Sequence, residues 1–273
     1  MKIAIIGISG RMGKAILTEL QHIKNASVIG GTVQAGSPDV GKDIGSFASL
    51  PPMNVSATDN INDTFLTADA IIDFSSPETT IASLEYLTNQ QASCAYVIGT
   101  TGFSSEQTKK IDHYATLLPI IWSANMSIGV NILLNLTEHV ARILDSSYDI
   151  EIIEAHHKHK VDAPSGTALA LGNAAATGRN VNLKDVGCKA RDGIIGPRPE
   201  GEIGFSTIRA ADIVGEHTVM FASDGERIEL THKASNRSIF AKGAVRAAIW
   251  GSKHVKKPGL YSMGDVLFEE TSL

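Results

Sequence analysis

The chain has 273 residues, enough for two domains or one large one with a substantial buried core. Hydrophobic residues make up 43% and charged residues 19%, a globular balance, and a formal charge of −5 with no basic half excludes a general nucleic-acid surface. Cys94 and Cys188 fit no disulfide or zinc spacing, and the apolar run at 3–6 is too short for a signal-peptide core or a membrane span. The expectation is a cytoplasmic protein with neither nucleic acid nor membrane as partner.

In chain order, residues 2–6 read as a buried strand, and Met12, Ile16, Leu20 and Ile23 then recur at helical spacing. Residues 28–33 read as a second strand. A third run, 70–74, is followed by Ser75-Ser76-Pro77-Glu78, where a serine cap and an N1 proline open a helix. Runs at 95–98 and 120–122 continue the βα alternation, which predicts a doubly wound parallel sheet covered on both faces. After Asn125 the pattern changes. Residues 129–144 read as a long helix, 149–155 as a strand and 166–176 as a helix, and 180–200 reads as a loop rich in Gly, Pro and charge. Strands follow at 202–209, 217–222 and 227–233, with Asp224-Gly225 as a hairpin turn between the last two. Residues 235–250 return to helix. This predicts an N-terminal dinucleotide-type domain and a second α+β domain with a mixed or antiparallel sheet; periodicity leaves the packing of the last helix open.

Gly7-Ile8-Ser9-Gly10-Arg11-Met12-Gly13 follows the first strand and opens the first helix. Glycines there let the backbone approach a pyrophosphate, and the free N–H groups of the helix start favour its charge. The spacing is G-x-x-G-x-x-G rather than G-x-G-x-x-G, and a ligand-free turn is the bland alternative. The order strand, turn, helix favours binding. About 20 residues further on, where an acidic residue would read the ribose, stands Gln34, so NADH and NADPH both stay open. Arg11 is the nearest cation for a phosphate. Gly99-Thr100-Thr101-Gly102 and Ser123-Ala124-Asn125-Met126-Ser127 follow two further strands and are candidate walls of a nicotinamide pocket.

The densest chemistry lies in His156-His157-Lys158-His159-Lys160, directly after an apolar strand. A metal site is disfavoured, because adjacent histidines on a strand point to opposite faces and no i, i+4 ligand pair accompanies them. A solvated basic loop is the bland reading. Substrate binding with proton transfer is favoured, since histidine exchanges protons near neutral pH. Ser165-Gly166-Thr167 then opens a helix, where backbone N–H groups and a hydroxyl suit an anion, while Lys160 suits a carboxylate. Arg209, Glu216, His217, Lys233 and Arg237 read as surface or interface salt bridges, and Cys94 as core.

Together these motifs resemble the 4-hydroxy-tetrahydrodipicolinate reductase (dihydrodipicolinate reductase) family of bacterial diaminopimelate–lysine biosynthesis. The resemblance is carried by Gly7-x-x-Gly10-Arg11-Met12-Gly13, Asp73-Phe74-Ser75, Gly99-Thr100-Thr101-Gly102, Ala124-Asn125-Met126-Ser127, the run from Glu154 to Ala168, Gly204-Phe205, Arg209, Gly215-Glu216-His217, His232-Lys233-Ala234 and Arg237. It extends to Gly259-Leu260-Tyr261 and Val266-Leu267. It implies an α/β protein with a discontinuous Rossmann-like domain, 1–127 with 237–273, and an α+β domain, 128–236, whose mixed sheet builds a homotetramer. It implies NADH or NADPH held by Gly7, Ile8, Ser9, Gly10, Arg11, Met12, Gln34, Gly99, Thr100, Thr101, Ser123, Ala124, Asn125 and Met126. His156 corresponds to the proton donor, Lys160 to the second catalytic residue, and His157, Gly166 and Thr167 to substrate-carboxylate contacts; no metal is implied. Many members carry an acidic residue where Gln34 stands and an aromatic one where Met126 stands. The implied activity is NAD(P)H-dependent reduction of the cyclic dicarboxylate 4-hydroxy-tetrahydrodipicolinate to tetrahydrodipicolinate with release of water. The alternative is a non-catalytic NAD(P)H-binding sensor.

Overall fold

The computed structural model describes residues 1–254 and 257–268, so 255–256 and 269–273, within the stretch read as the return to the first domain, lie outside the described residues. The chain divides into two compact units, Met1–Ile128 with the residues from Arg237 onward, and Gly129–Asn236.

In the first unit the elements run β1 (Lys2–Ile6), α1 (Arg11–Leu20), β2 (Ser27–Thr32), a 3-10 turn (Ile44–Ala48), α2 (Asp63–Leu66), β3 (Ala70–Asp73), α3 (Pro77–Asn89), β4 (Ala95–Ile98), α4 (Ser105–Ala115) and β5 (Pro119–Trp122). Beyond Asn236 follow α8 (Ser238–His254), β11 (Gly259–Tyr261) and α9 (Met263–Phe268). The strands are parallel, in the order β11-β5-β4-β3-β1-β2. They read as unbroken apolar runs because both faces are covered. On β1, Ile3 and Ile5 join one core cluster with α1 and α8, while Ala4 and Ile6 join the other with Leu84 and Leu87 of α3 and Ile111 of α4. The α8 face on the sheet is built of Ala241, Ala244, Ala247 and Ala248, small residues that let helix and sheet approach closely. Ser76 caps α3 by accepting from the Thr79 N–H, with Pro77 at the first turn.

The second unit contains α5 (Ile128–Ile143, from Gly129), β6 (Asp149–His156), α6 (Gly166–Gly178), α7 (Leu183–Val186), β7 (Gly187–Cys188), β8 (Ile203–Arg209), β9 (Gly215–Ser223) and β10 (Glu226–Ala234). Its sheet is mixed, in the order β10-β9-β6-β8-β7, with β6 parallel to β8 and antiparallel to β9. Asp224-Gly225 makes the two-residue turn between β9 and β10. The segment read as loop at 180–200 holds α7 and the short β7. Four residues of helix and two of strand are too few to leave a periodic trace. The core is Ile150 and Ile152 of β6 against Leu171 and Ala175 of α6, flanked by Ile203 and Phe205 of β8 and Val219 and Phe221 of β9.

The turn after β1 depends on close packing. Gly7 has φ +79, and a Cβ on Gly13 would lie 2.3 Å from the Gly7 carbonyl oxygen and 2.5 Å from the Ile8 Cα. Both neighbours are backbone, so relief requires α1 to move off the turn. Gly13→Ala should therefore lower stability by about 1–3 kcal/mol, as overpacked sites do. A urea midpoint indistinguishable from that of the parent protein would contradict this packing.

Candidate active site

The first unit opens at the C-terminal ends of its parallel strands, where β1 is flanked by β2 on one side and β3 on the other and the connections diverge. There a cleft of about 550 Å³ is lined by Gly10, Arg11 and Met12 after β1, Phe74 and Ser75 after β3, Gly99, Thr100 and Thr101 after β4, Ser123 to Met126 after β5, and Arg237 and Phe240 before and in α8. Gly10 is the N-cap of α1 with no side-chain cap, so the first N–H groups of the helix are left for an anion. The cleft volume, this uncapped helix start and the glycine turn together fit a dinucleotide.

One wall of the cleft is held by a buried carboxylate. Asp73, at the end of β3, is fully buried and accepts from the Ser75 N–H (2.9 Å), Ser75 Oγ (2.5 Å), Thr80 Oγ1 (2.7 Å), Tyr96 OH (2.7 Å) and Thr100 Oγ1 (3.3 Å). Burial pushes the Asp73 carboxyl above its usual range, and these donors pull it back only in part. Ser75 and Thr100, both cleft residues, are oriented by it.

In the second unit the register stacks the inward side chains in rows. Ile203, Ile150 and Phe221 face one another, as do Phe205, Ile152 and Val219. In the next row the face turns polar, with Thr207, Glu154, His217 and, one strand further, His232; beyond it Arg209 pairs with His156. Glu154 thus occupies a core position, 1% exposed, and donors surround it. Arg209 donates to both its oxygens at 2.8 Å, the Ser165 N–H to Oε1 at 3.0 Å, and His156 Nδ1 lies 2.6 Å from Oε2. Burial raises the Glu154 carboxyl, but Arg209 and His156 outweigh it and bring it down to about 2.

An ionised carboxylate can only accept, so His156 carries its proton on Nδ1. Burial lowers the basicity of His156, Glu154 restores part of it, and the charges of Lys160 and Arg209 lower it again. His217 lies edge-on to the His156 ring, with centroids 5.1 Å apart and its Nε2 3.1 Å from Ser165 Oγ. Burial, then the charge of His156, push His217 down to about 4, so it is neutral near pH 7. Lys160 ends a turn closed by its N–H on the His157 carbonyl, and its Nζ pairs with Asp162 at 2.8 Å. Ser165 caps α6 by accepting from the Ala168 N–H, with Gly166 exposed in open space beside it.

Of the residues expected to hold a cofactor, Gly10, Arg11, Met12, Gly99, Thr100, Thr101 and Ser123 to Met126 line the cleft. Gly7 shapes the turn and Ile8 is fully buried in the core; these two, Ser9 and Gln34 are not cleft-lining, and Gln34 is exposed just beyond β2. His156, Lys160 and the start of α6 meet at one end of the second sheet, with His157 on the same turn as Lys160. The reading of Arg209 and His217 as surface salt-bridge residues is corrected: Arg209 grips a buried carboxylate and His217 is itself buried. Glu216 and Lys233 do form an exposed pair, at 3.3 Å. Glu154 and Asp73 were missed as site-building residues. For Glu154 the signal was a carboxylate on the inward period of Ile150-x-Ile152-x-Glu154. Among the described residues no group of three or more His, Cys, Asp or Glu side chains is placed to hold a metal, and no helix is long and apolar enough to cross a membrane.

Because Glu154 titrates lower in the folded chain than in an unfolded one, its stabilising effect is present above about pH 4.5 and is lost as pH falls toward about 2. That effect is on the order of 3 kcal/mol. The stability gap between the parent protein and Glu154→Gln should be widest near neutral pH and close across this window. A gap independent of pH in urea unfolding would contradict an ionised, paired Glu154.

Comparison with known proteins finds matches to both units of the chain. A family model described as "Dihydrodipicolinate reductase, N-terminus" matches residues 1–126, and one described as "Dihydrodipicolinate reductase, C-terminus" matches residues 129–267. The chain is 51% identical over 265 residues to the 4-hydroxy-tetrahydrodipicolinate reductase of Dinoroseobacter shibae, covering 97% of each chain. It is 50% identical over 270 residues to that of Chromohalobacter salexigens, covering 97% of this chain and 98% of the relative. The solved structure of dipicolinate-bound dihydrodipicolinate reductase from Paenisporosarcina sp. TG-14 has the same fold, with a TM-score of 0.74 at 24% identity over 96% of this chain and 97% of that one. With matches running through both units at about half identity, this chain belongs to the dihydrodipicolinate reductase family.

Proposed function

We propose that this chain catalyses the NAD(P)H-dependent reduction of 4-hydroxy-tetrahydrodipicolinate to tetrahydrodipicolinate, with release of water, in diaminopimelate and lysine biosynthesis. The observation that carries the reading is the His156–Glu154 pair at 2.6 Å, placed with Lys160 and the start of α6 at one sheet end. A dinucleotide sensor has no use for a histidine hydrogen-bonded to a buried carboxylate beside a lysine, and the relatives matched over 97% of this chain are named reductases.

The first unit, taken as 1–127 with 237–273, holds the dinucleotide. The turn Gly7 to Met12 would hold its pyrophosphate, Gly99 to Thr101 and Ser123 to Met126 would hold its nicotinamide end, and Gln34 would serve the ribose. The bound dinucleotide supplies the hydride. The second unit, 128–236, holds the substrate. Lys160, His157 and the Gly166-Thr167 helix start bind its carboxylates by charge and backbone N–H groups. Hydride arrival leaves electron density on the ring system, and His156 delivers the proton that quenches it. Lys160 stabilises the negative charge close by. Gln34 neither repels nor pairs with a 2′-phosphate, so both NADH and NADPH are accepted.

The face of the second sheet opposite its helix α6, which exposes Ile208 of β8, supports self-association as a homotetramer, and cytoplasmic residence suits a biosynthetic reductase. The reaction is tested by following NADH and NADPH absorbance, side by side, with the condensation product of pyruvate and aspartate semialdehyde. His156→Gln and Lys160→Met should each lower kcat by about 10²–10⁴ with dinucleotide affinity unchanged. Unchanged turnover in either variant would sink its assigned role.

A further inference from the structure

A carboxylate stands at a core position of β6. Glu154 sits where the apolar rows of Ile150 and Ile152 would continue, and His156 is the next residue on the same face. An uncompensated charge there would be strongly disfavoured, so the carboxylate must be matched by donors from the elements around it. Arg209 closes both oxygens in a two-pronged grip, and its guanidinium also reaches the Asp162 carbonyl at 2.6 Å. One carboxylate therefore joins β6, β8, the turn after β6 and, through the Ser165 N–H, the start of α6. His156 Nδ1 completes this shell, and its Nε2 makes no hydrogen bond among the described residues.

We propose that Glu154 is the positioning residue of the proton donor: clamped by Arg209, it fixes His156 with the proton on Nδ1 and leaves Nε2 to face the substrate. The opposed charges of Glu154 and Arg209 then set the pH range over which His156 carries the proton it delivers. This rests on the reading of His156 as proton donor. In the delivery step the Nε2–H bond of the imidazolium breaks, its electron pair stays on the ring, and the proton passes to the reduced substrate. The neutral ring keeps its Nδ1–H on Glu154, and water returns the proton to Nε2. The groups facing His156 are Glu154 on its own strand, Arg209 on β8, Lys160 on the following turn and His217 on β9. His217 is neutral near pH 7, so the balance lies between one anion and two cations.

The test is a histidine ring-resonance titration of the full chain, with His156 assigned by its loss in His156→Gln, run beside the pH profile of kcat. In the parent protein a slowly exchanging downfield proton on His156 Nδ1 is expected. Glu154→Gln should move the His156 midpoint to lower pH and draw the alkaline limb of kcat with it. At about pH 8 kcat should then fall at least about tenfold, part of the ~10²–10⁴ a positioned proton donor contributes, with the KM for dinucleotide unchanged. Arg209→Met should move the midpoint the other way, and Glu154→Asp, which keeps the charge, should lie closer to the parent than Glu154→Gln does. A merely structural role predicts no shift, or shifts of one sign, and either result overturns the proposal. Where a variant fails to fold, the protected Nδ1 proton of the parent protein decides: its absence overturns the proposal and its presence supports it. Turnover by the parent without opposed shifts overturns the role of Glu154 alone, whereas absence of turnover overturns the proposed reaction.

Discussion

A carboxylate removed from water must collect donors or lose its charge, and each unit of this protein places one such carboxylate at the C-terminal end of a central strand. Asp73 ends β3 and Glu154 lies near the end of β6, both at most 1% exposed. Among the donors each collects are residues of the strand ends and loops that carry function: Ser75 and Thr100 in the first unit, His156 and the Ser165 N–H in the second. Loops at strand ends are ordinarily the most variable parts of a fold. Here the desolvation penalty of a single buried group holds them in one arrangement.

The two carboxylates solve the same problem with opposite electrostatics. Asp73 is surrounded by hydroxyls and an N–H, which leave its carboxyl raised by burial, and it shapes a wall of the cleft from a fully buried position. Glu154 has Arg209 within hydrogen-bond reach and stays ionised down to about pH 2. A permanent anion is what an imidazolium donor needs behind it. The cations at the same end, Lys160 and Arg209, keep the surroundings attractive to a dicarboxylate while holding the basicity of His156 down.

What could be read from residues alone follows the same physics. The turn after β1, the start of α3 at Ser76-Pro77 and the Asp224-Gly225 hairpin are local, each decided by a few adjacent residues, and all three are found where expected. The density of His156 to Lys160 announced chemistry by composition. Partnership between Glu154 and Arg209 depends instead on strand register across 55 residues, which no local pattern encodes. Glu154 was visible as part of a motif, yet its inward position became meaningful only when β6 was set beside β8 and β9. Asp73 was hidden similarly: its donors Tyr96 and Thr100 belong to the next strand and the loop after it. The pairing of β11 with β5 rests on three residues and was beyond any periodicity argument.

The proposed reaction requires a dicarboxylate at the end of β6 and the start of α6 in the second unit, and a dinucleotide in the cleft of the first. Hydrogen exchange measured by mass spectrometry, with dipicolinate and NADPH added separately and together, tests this most directly. Dipicolinate should slow exchange in peptides covering 156–169, and NADPH in those covering 7–14 and 99–102. Protection by dipicolinate confined to the glycine turn, or none within 156–169, would contradict it.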